Sequence, residues 1–285
     1  MAERSVSAAP RVSVVIATLG GDSLRTTIER LNEGSSVPAE ILVCIPEREA
    51  RAVSAGSHAN VRILATDFRG QVAQRAFGFR HVSHDLVMQL DDDVVVDSRC
   101  LEFLVRDLEA SGPRSAVAPA WRWRGTDRSV YKPISPLLGS GIFFWLLNGR
   151  RGYRPGIVTK AGAEIGIHER KAHGTAVDAE WIPGGCVLHR RKDLVLEDYF
   201  PFPGKAFCED LIHSFHLSSR GVRLLVSPDA LAYIDEAPQA RGEFFKALRG
   251  DFRARRHYVE LSSRSKLRMY FFFFARILRH VSSRR

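Results

Sequence analysis

The chain is poor in cysteine: Cys44, Cys100, Cys186 and Cys208 are the only four in 285 residues, far apart and with no C-x-x-C pair. Such spacing fits neither a zinc site nor a disulfide framework and suits a reducing cytosol. Long hydrophobic runs are missing too. The longest uncharged stretch, Pro133 to Gly149, has 17 residues and is broken by Pro136, Gly139 and Gly141. A spanning helix needs about 20 apolar residues, so none is expected. Met1 to Pro10 is polar, lacks the apolar core of a signal peptide and reads as a disordered N-terminus (1–10). There is no internal repeat, and low complexity is confined to Phe271–Phe274. Net charge is also missing from most of the chain. Residues 241–285 hold 13 Lys/Arg against 3 Asp/Glu, which accounts for the whole excess of +10 and leaves residues 1–240 neutral.

What is present alternates. Arg11 to Thr18 is a β-branched run ending in Gly20-Gly21, with Asp22 or Ser23 placed to cap a helix through Leu31. Glu40 to Ile45 and Val61 to Ala65 read as further strands, Gly70 to His81 as a helix, and Leu86 to Leu90 as a fourth strand. Asp97 to Ala110 reads as a helix and Ala116 to Trp123 as a strand. A turn at Pro183-Gly184-Gly185 enters another strand, Phe207 to Ser219 is helical, and Val222 to Val226 is a last short strand. This alternation predicts an α/β fold with a doubly wound, mostly parallel sheet, whose ligands bind beyond the carboxyl ends of the strands. Residues 124–179, rich in glycine, read as a long functional loop.

The fourth strand gives out at Asp91-Asp92-Asp93. Adjacent carboxylates repel one another, and folding does not ask for them there. A hard cation, Mn2+ or Mg2+, would neutralise them and bridge them to phosphate oxygens. Strand alternation places Asp91 and Asp93 on one side and Asp92 on the other. A solvated acidic turn is the plainer alternative. A second acidic pair, Glu209-Asp210, opens a helix 117 positions after Asp93; there the plainer alternative is complementation of the helix dipole.

In order, VSVVIAT, Gly70…Arg75, LDDDVVVD, WIPGGCVLHRR and FCED make the chain, from Arg11 to Asp235, resemble the inverting family 2 glycosyltransferases of the GT-A fold, a Rossmann-like architecture. The resemblance implies a nucleotide-sugar donor, a divalent metal (Mn2+ or Mg2+) and an acceptor hydroxyl. It implies Asp93 as metal ligand, with Asp91 sharing the metal or contacting ribose or sugar, and Asp92 beside them in the donor site. Asp210 would be the general base, with Glu209 holding it or touching the acceptor. Thr18 would line the nucleoside pocket, Arg75 would contact base or diphosphate, Gly184 and Gly185 would admit the donor sugar, and Trp181 would face the acceptor.

Each of these has a bland counterpart. Trp181 taken alone is more often core, Thr18 is simply a strand end, and Arg75 a solvated helix residue. Gly184-Gly185 can be only a tight turn. Cys186 and Cys208 read as small buried hydrophobes, and His213 and His216, one turn apart without a third ligand, as structural. The chain also departs from the family pattern: Ala17 stands where Pro is common, Ile45-Pro46 where acids read the base, and Ala76 where Asn follows the arginine. The base is therefore left open among UDP, GDP, dTDP and CDP. A late histidine ligand of some relatives falls near Asp235, a substitute candidate.

On these readings 11–240 is a catalytic domain, with 124–179 as its acceptor-side loop, and 241–285 is a basic amphipathic helical tail. On a helical projection Leu267, Tyr270, Phe271, Phe274, Ile277, Leu278 and Val281 share one face and Arg268, Arg276 and Arg279 the other. That pattern suits a membrane interface engaged through residues 264–285; the alternative is packing on the catalytic domain or on another subunit of a homo-oligomer. Charge set beside Phe271–Phe274 argues against nucleic acid. The expectation is an enzyme peripheral to the cytoplasmic membrane face, acting on a lipid-linked or polysaccharide acceptor. Two rivals stand beside it: a nucleotidyltransferase on a sugar phosphate, and an inactive membrane-docked scaffold of the same fold.

Overall fold

The computed structural model describes residues 11–50, 58–126, 128–131, 141–150, 154–167, 175–236 and 244–282; the expected disordered N-terminus lies outside them. Among these residues nine strands form one sheet, ordered β3 (Val61–Thr66), β2 (Glu40–Pro46), β1 (Val12–Ala17), β4 (Leu86–Asp91), β8 (Cys186–Arg190), β6 (Ser115–Trp123), β9 (Arg223–Ile234), β5 (Val95–Val96), with β7 (Val177–Asp178) pairing β9 at the side. β1 (Val12–Ala17), β2 (Glu40–Pro46), β3 (Val61–Thr66) and β4 (Leu86–Asp91) run parallel. β8 (Cys186–Arg190) is antiparallel to both β4 and β6 (Ser115–Trp123), and β6 is parallel to β9 (Arg223–Ile234). The sheet is therefore mostly parallel, with β8 inserted in reverse.

Both faces of the central strands are covered, which is why β1 and β2 read as unbroken apolar runs. Val14, Ile16, Met88 and Leu90 pack under α1 (Ser23–Asn32) and α4 (Cys100–Ala110). Val15, Leu42, Cys44 and Val87 face the opposite side under Phe79 of α3 (Gln71–Arg80). That helix comes so close that a Cβ on Gly78 would lie 2.4 Å from Val15 and 2.6 Å from Cys44, so only glycine fits.

Register positions the site. Ala17 aligns with Asp91 across β1 and β4, and Leu90 with Cys186 across β4 and β8. The reversal of β8 thus carries Gly184-Gly185 to the carboxyl end of β4. α6 (Glu209–Ser219) then starts at the same end.

Several expected boundaries move. Asp22 occupies the cap position of α1, but its side chain makes no capping hydrogen bond. α4 begins at Cys100, because the Asp97 carbonyl accepts the Cys100 N–H in a preceding turn. β9 runs on to Ile234, since a register shift opposite Pro119/Ala120 absorbs Pro228. The 124–179 stretch contains α5 (Ile142–Asn148) and the short β7 (Val177–Asp178), with a further two-residue strand, β5 (Val95–Val96), just after the acidic triplet. The short α2 (Glu47–Ala50) follows β2.

The basic tail forms two helices, α7 (Phe244–Leu261) and α8 (Lys266–Ser282). α7 buries Leu248, Asp251, Ala254, Arg255, Tyr258 and Val259, a stripe at the three- and four-residue spacing of a helix face. Leu248, Ala254, Tyr258 and Val259 join Leu211 and Ile212 of α6 and Met269 and Phe273 of α8 in a single cluster.

Candidate active site

Strand β4 ends at Asp91, and the next two acids lie in the turn to β5. Strand alternation therefore does not govern the triplet, and its carboxylates take three directions. Asp91 Oδ1 accepts from the Arg75 guanidinium at 3.0 Å and from the Gln71 amide at 2.9 Å. Asp92 accepts a hydrogen bond from the Thr18 hydroxyl. Asp93 is exposed and makes no hydrogen bond or ion pair with any described residue.

Arg75 joins the two acidic sites. Its other terminal nitrogen donates to Glu209 Oε1 at 2.7 Å, and the side chains of both residues are only 3% exposed. The Tyr199 hydroxyl donates to the same Glu209 oxygen. A buried arginine is tolerated only with such partners, and the two carboxylates raise its already high pKa further against the desolvation that opposes it. In this arrangement the Arg75 guanidinium, expected to contact base or diphosphate, is engaged by the carboxylates of Asp91 and Glu209.

Burial is also the main influence on the carboxyl groups. It raises Asp91 to about 6, with Glu209 and Asp93 adding to the rise and Arg75 opposing it. Asp210 is pushed up to about 8, by burial first and then by the neighbouring charges of Glu209, Asp91 and Glu164. Asp92 is raised as well, by burial. A cluster holding this much partly desolvated negative charge asks for a cation.

The glycine pair is required by close approach. A Cβ on Gly184 would lie 2.7 Å from Glu209 Oε2 and 3.2 Å from Asp210 Oδ1; one on Gly185 would lie 2.8 Å from the Trp121 ring and 3.1 Å from Asp91 Oδ2. The Gly184 carbonyl accepts from Gln89 at 2.5 Å, and the Gly185 carbonyl from the Asp91 N–H at 2.8 Å. The pair therefore fits between the two acidic sites. Thr18 is buried at the end of β1, where its N–H donates to the Cys44 carbonyl and its carbonyl accepts from Gln74.

Trp181 is placed differently from the expectation. It is 4% exposed, its indole N–H donates to the Ile165 carbonyl at 3.0 Å, and its ring meets Tyr131 edge-on. It is part of the packed core rather than a displayed acceptor platform. His213 is buried against Tyr199 and lowered to about 3 by that burial, while His216 lies partly exposed nearby; both are structural. Asp235 is exposed and paired with Arg124.

Cys208, immediately before Glu209, has φ of 55°, a left-handed conformation rare outside glycine. Its thiol donates to Asp251 Oδ1 at 2.9 Å, and Asp251 is paired with Arg255 and Arg276. The two C-terminal helices thus brace the start of α6.

Sequence reasoning missed Gln71, Gln74, Gln89 and Tyr199. Two signals were available. Gln71, Gln74 and Arg75 repeat polarity at helical spacing in the first turn of a helix that covers a sheet, and Gln89 interrupts a buried strand.

Among the described residues no three His, Cys, Asp or Glu side chains come together as a closed metal cage. The oxygens present fit a different arrangement. Asp93 offers an exposed carboxylate that no described residue engages, and a hard cation there would complete its shell with phosphate oxygens and water.

The family model for glycosyl transferase family 2 matches residues 13–165, more than half of the chain. The chain belongs to that family. The glycosyltransferase match begins in β1 and takes in the triplet and all of α3. Among solved structures, GalNAc-T7 with UDP, GalNAc and Mn2+ matches with a TM-score of 0.59 at 16% identity, over 81% of this chain and 44% of that one. The Pyrobaculum calidifontis mannosyltransferase PcManGT, in complex with GDP-Man and Mn2+, matches with a TM-score of 0.50 at 18% identity, over 85% of this chain and 61% of that one. Likeness at this identity establishes the GT-A fold that the glycosyltransferase shares with them. No curated protein matches the chain.

Proposed function

We propose that this glycosyltransferase is inverting and metal-dependent, moving a sugar from a nucleoside diphosphate donor to a hydroxyl of a lipid-linked or polysaccharide acceptor at the cytoplasmic face of a membrane. The observation that carries the reading is the meeting of two acidic sites, about 117 positions apart in sequence, at the carboxyl end of one sheet, with Gly184-Gly185 between them.

Asp210 is the base. It accepts the proton of the acceptor hydroxyl as that oxygen attacks the anomeric carbon, while the bond from that carbon to the donor phosphate oxygen breaks and nucleoside diphosphate leaves. A carboxyl group raised to about 8 by its surroundings is, once ionised, a stronger base toward an alcohol proton than an ordinary carboxylate. Glu209 fixes the start of α6 through Arg75 and Tyr199. Asp93, with Asp91 behind it, would hold Mn2+ or Mg2+, which when bound supplies positive charge for the leaving diphosphate. Thr18 and Asp92 shape the nucleoside end, and Gly184-Gly185 leave room for the sugar. GalNAc-T7 is solved with UDP and PcManGT with GDP-Man, which supports the donor class and leaves the base open.

The test is donor turnover. Asp93→Asn and Asp210→Asn are each expected to abolish transfer in protein that melts normally, and nucleoside diphosphate is the expected product. Release of pyrophosphate would replace the reading by nucleotidyl transfer. Full activity in Asp210→Asn would remove that residue as base.

A further inference from the structure

The α8 helix is held by its narrow face. Met269 and Phe273 are buried against α7, Arg276 pairs with Asp251, and Arg268 donates to the carbonyls of Trp145 and Leu146 on α5. The broad apolar face read from the sequence is left outside. Leu267 is 81% exposed, Phe274 57% and Leu278 50%, with Ile277 and Val281 beside them. Tertiary structure adds to it: Phe245 of α7 and Ile142 and Trp145 of α5 are exposed on the helices that flank α8. An open groove of about 440 Å³ between α7 and α8 is lined by seven apolar side chains, Phe245, Phe252 and Phe274 among them, and by Arg249.

We infer that this three-helix face is a docking surface for an anionic lipid bilayer, lying in the interface rather than crossing it. No helix of the described residues is long and apolar enough to cross. An apolar face of this breadth, on helices that also carry unpaired cations, has the composition of an interfacial surface. Arg249 lines the groove, and Lys246 and Arg279 stand on the same two helices; all three are exposed and form no ion pair with any described residue. A second copy laid on this face would bring Arg249 near its own counterpart, whereas anionic headgroups neutralise it. The inference rests on the proposed transfer only for its consequence, that an acceptor anchored in the same membrane is delivered to the enzyme by docking.

The test is flotation of the full chain with vesicles of phosphatidylcholine alone and with about one-third phosphatidylglycerol, without donor or metal. The expected result is binding at least about tenfold stronger to the anionic vesicles, reduced about tenfold or more by the double variant Phe274→Glu/Leu278→Glu and by Arg249→Glu/Arg279→Glu. Equal binding by wild type and both variants, or no binding by any, would overturn it. So would a dimer that Phe274→Glu/Leu278→Glu splits in sedimentation while vesicles are ignored, for then the face joins two copies. None of the substituted residues belongs to the catalytic site, and melting temperature checks their folding. Failure to bind leaves the transferase reading standing, and failure to transfer sugar with binding intact does the reverse.

Discussion

Arg75 and Glu209 are 134 positions apart in sequence, yet their side chains meet at 2.7 Å in an ion pair that water scarcely reaches. The pair ties α3, on the donor side, to α6, which carries the proposed base. Removing one partner from a buried pair strands the other charge, which costs about 3–5 kcal/mol. Arg75→Met should therefore lower unfolding stability by that order in urea titration. Arg75→Met/Glu209→Gln should recover part of the loss, because the stranded charge is gone; a purely additive double variant would show that the two residues are not coupled.

The pH dependence follows from Asp210. Its carboxyl is held near 8, so below that pH it is increasingly protonated and cannot take the acceptor's proton. The wild-type kcat/KM should rise with pH along a limb with an apparent pKa near 8. In Glu209→Gln a neighbouring negative charge is gone, and the limb should move down by about one pH unit. An unmoved limb would mean that another group sets it.

The same shift has a stability consequence of fixed sign. The folded pKa of Asp210 is raised above its unfolded value, so the contribution of this group is complete at acid pH and is lost as pH rises through about 8. Asp210→Asn should melt higher than wild type at alkaline pH, by on the order of 1 kcal/mol, with a smaller difference in mild acid. A variant less stable than wild type at alkaline pH would contradict this.

Gly184→Ala puts a methyl group where the Glu209 and Asp210 oxygens stand. Overpacking of this kind costs about 1–3 kcal/mol in stability. Displacement of the base by a fraction of an ångström should cost transfer about 100-fold. Comparing the melt with steady-state kinetics separates the two effects.

Asp93 is exposed and pairs with no described residue, so Asp93→Asn should leave stability within about 0.5 kcal/mol of wild type. Calorimetry should nonetheless show Mn2+-dependent nucleotide binding weakened by about tenfold or more. Unchanged binding would move the metal to another residue.

Much of the fold was legible because its signals are local. The β-branched runs of β1 and β2, the helical spacing of α3 and the acids after β4 each lie within a short window. Side-chain direction was less legible. The triplet looked like a strand end with alternating sides, but the turn after Asp91 sends its three carboxylates to Arg75, to Thr18 and to solvent. Trp181 looked like a sugar platform, and its burial follows from packing against Tyr131 and Ile165, which no local window contains.

The sequence by itself determined the family, the alternating sheet and helices, the two acidic sites and the location of all the excess charge, because periodicity, composition and motif order are properties of the chain. Tertiary structure decided that Arg75 is spent on Glu209 and Asp91, that Gly184 touches both acids of α6, and that α8 packs by its narrow face and leaves the wide apolar one outside. These are relations between residues distant in sequence. They are fixed by the reversal of β8 and by the packing of α7 and α8, where competition for buried partners, and not local propensity, sets which groups meet.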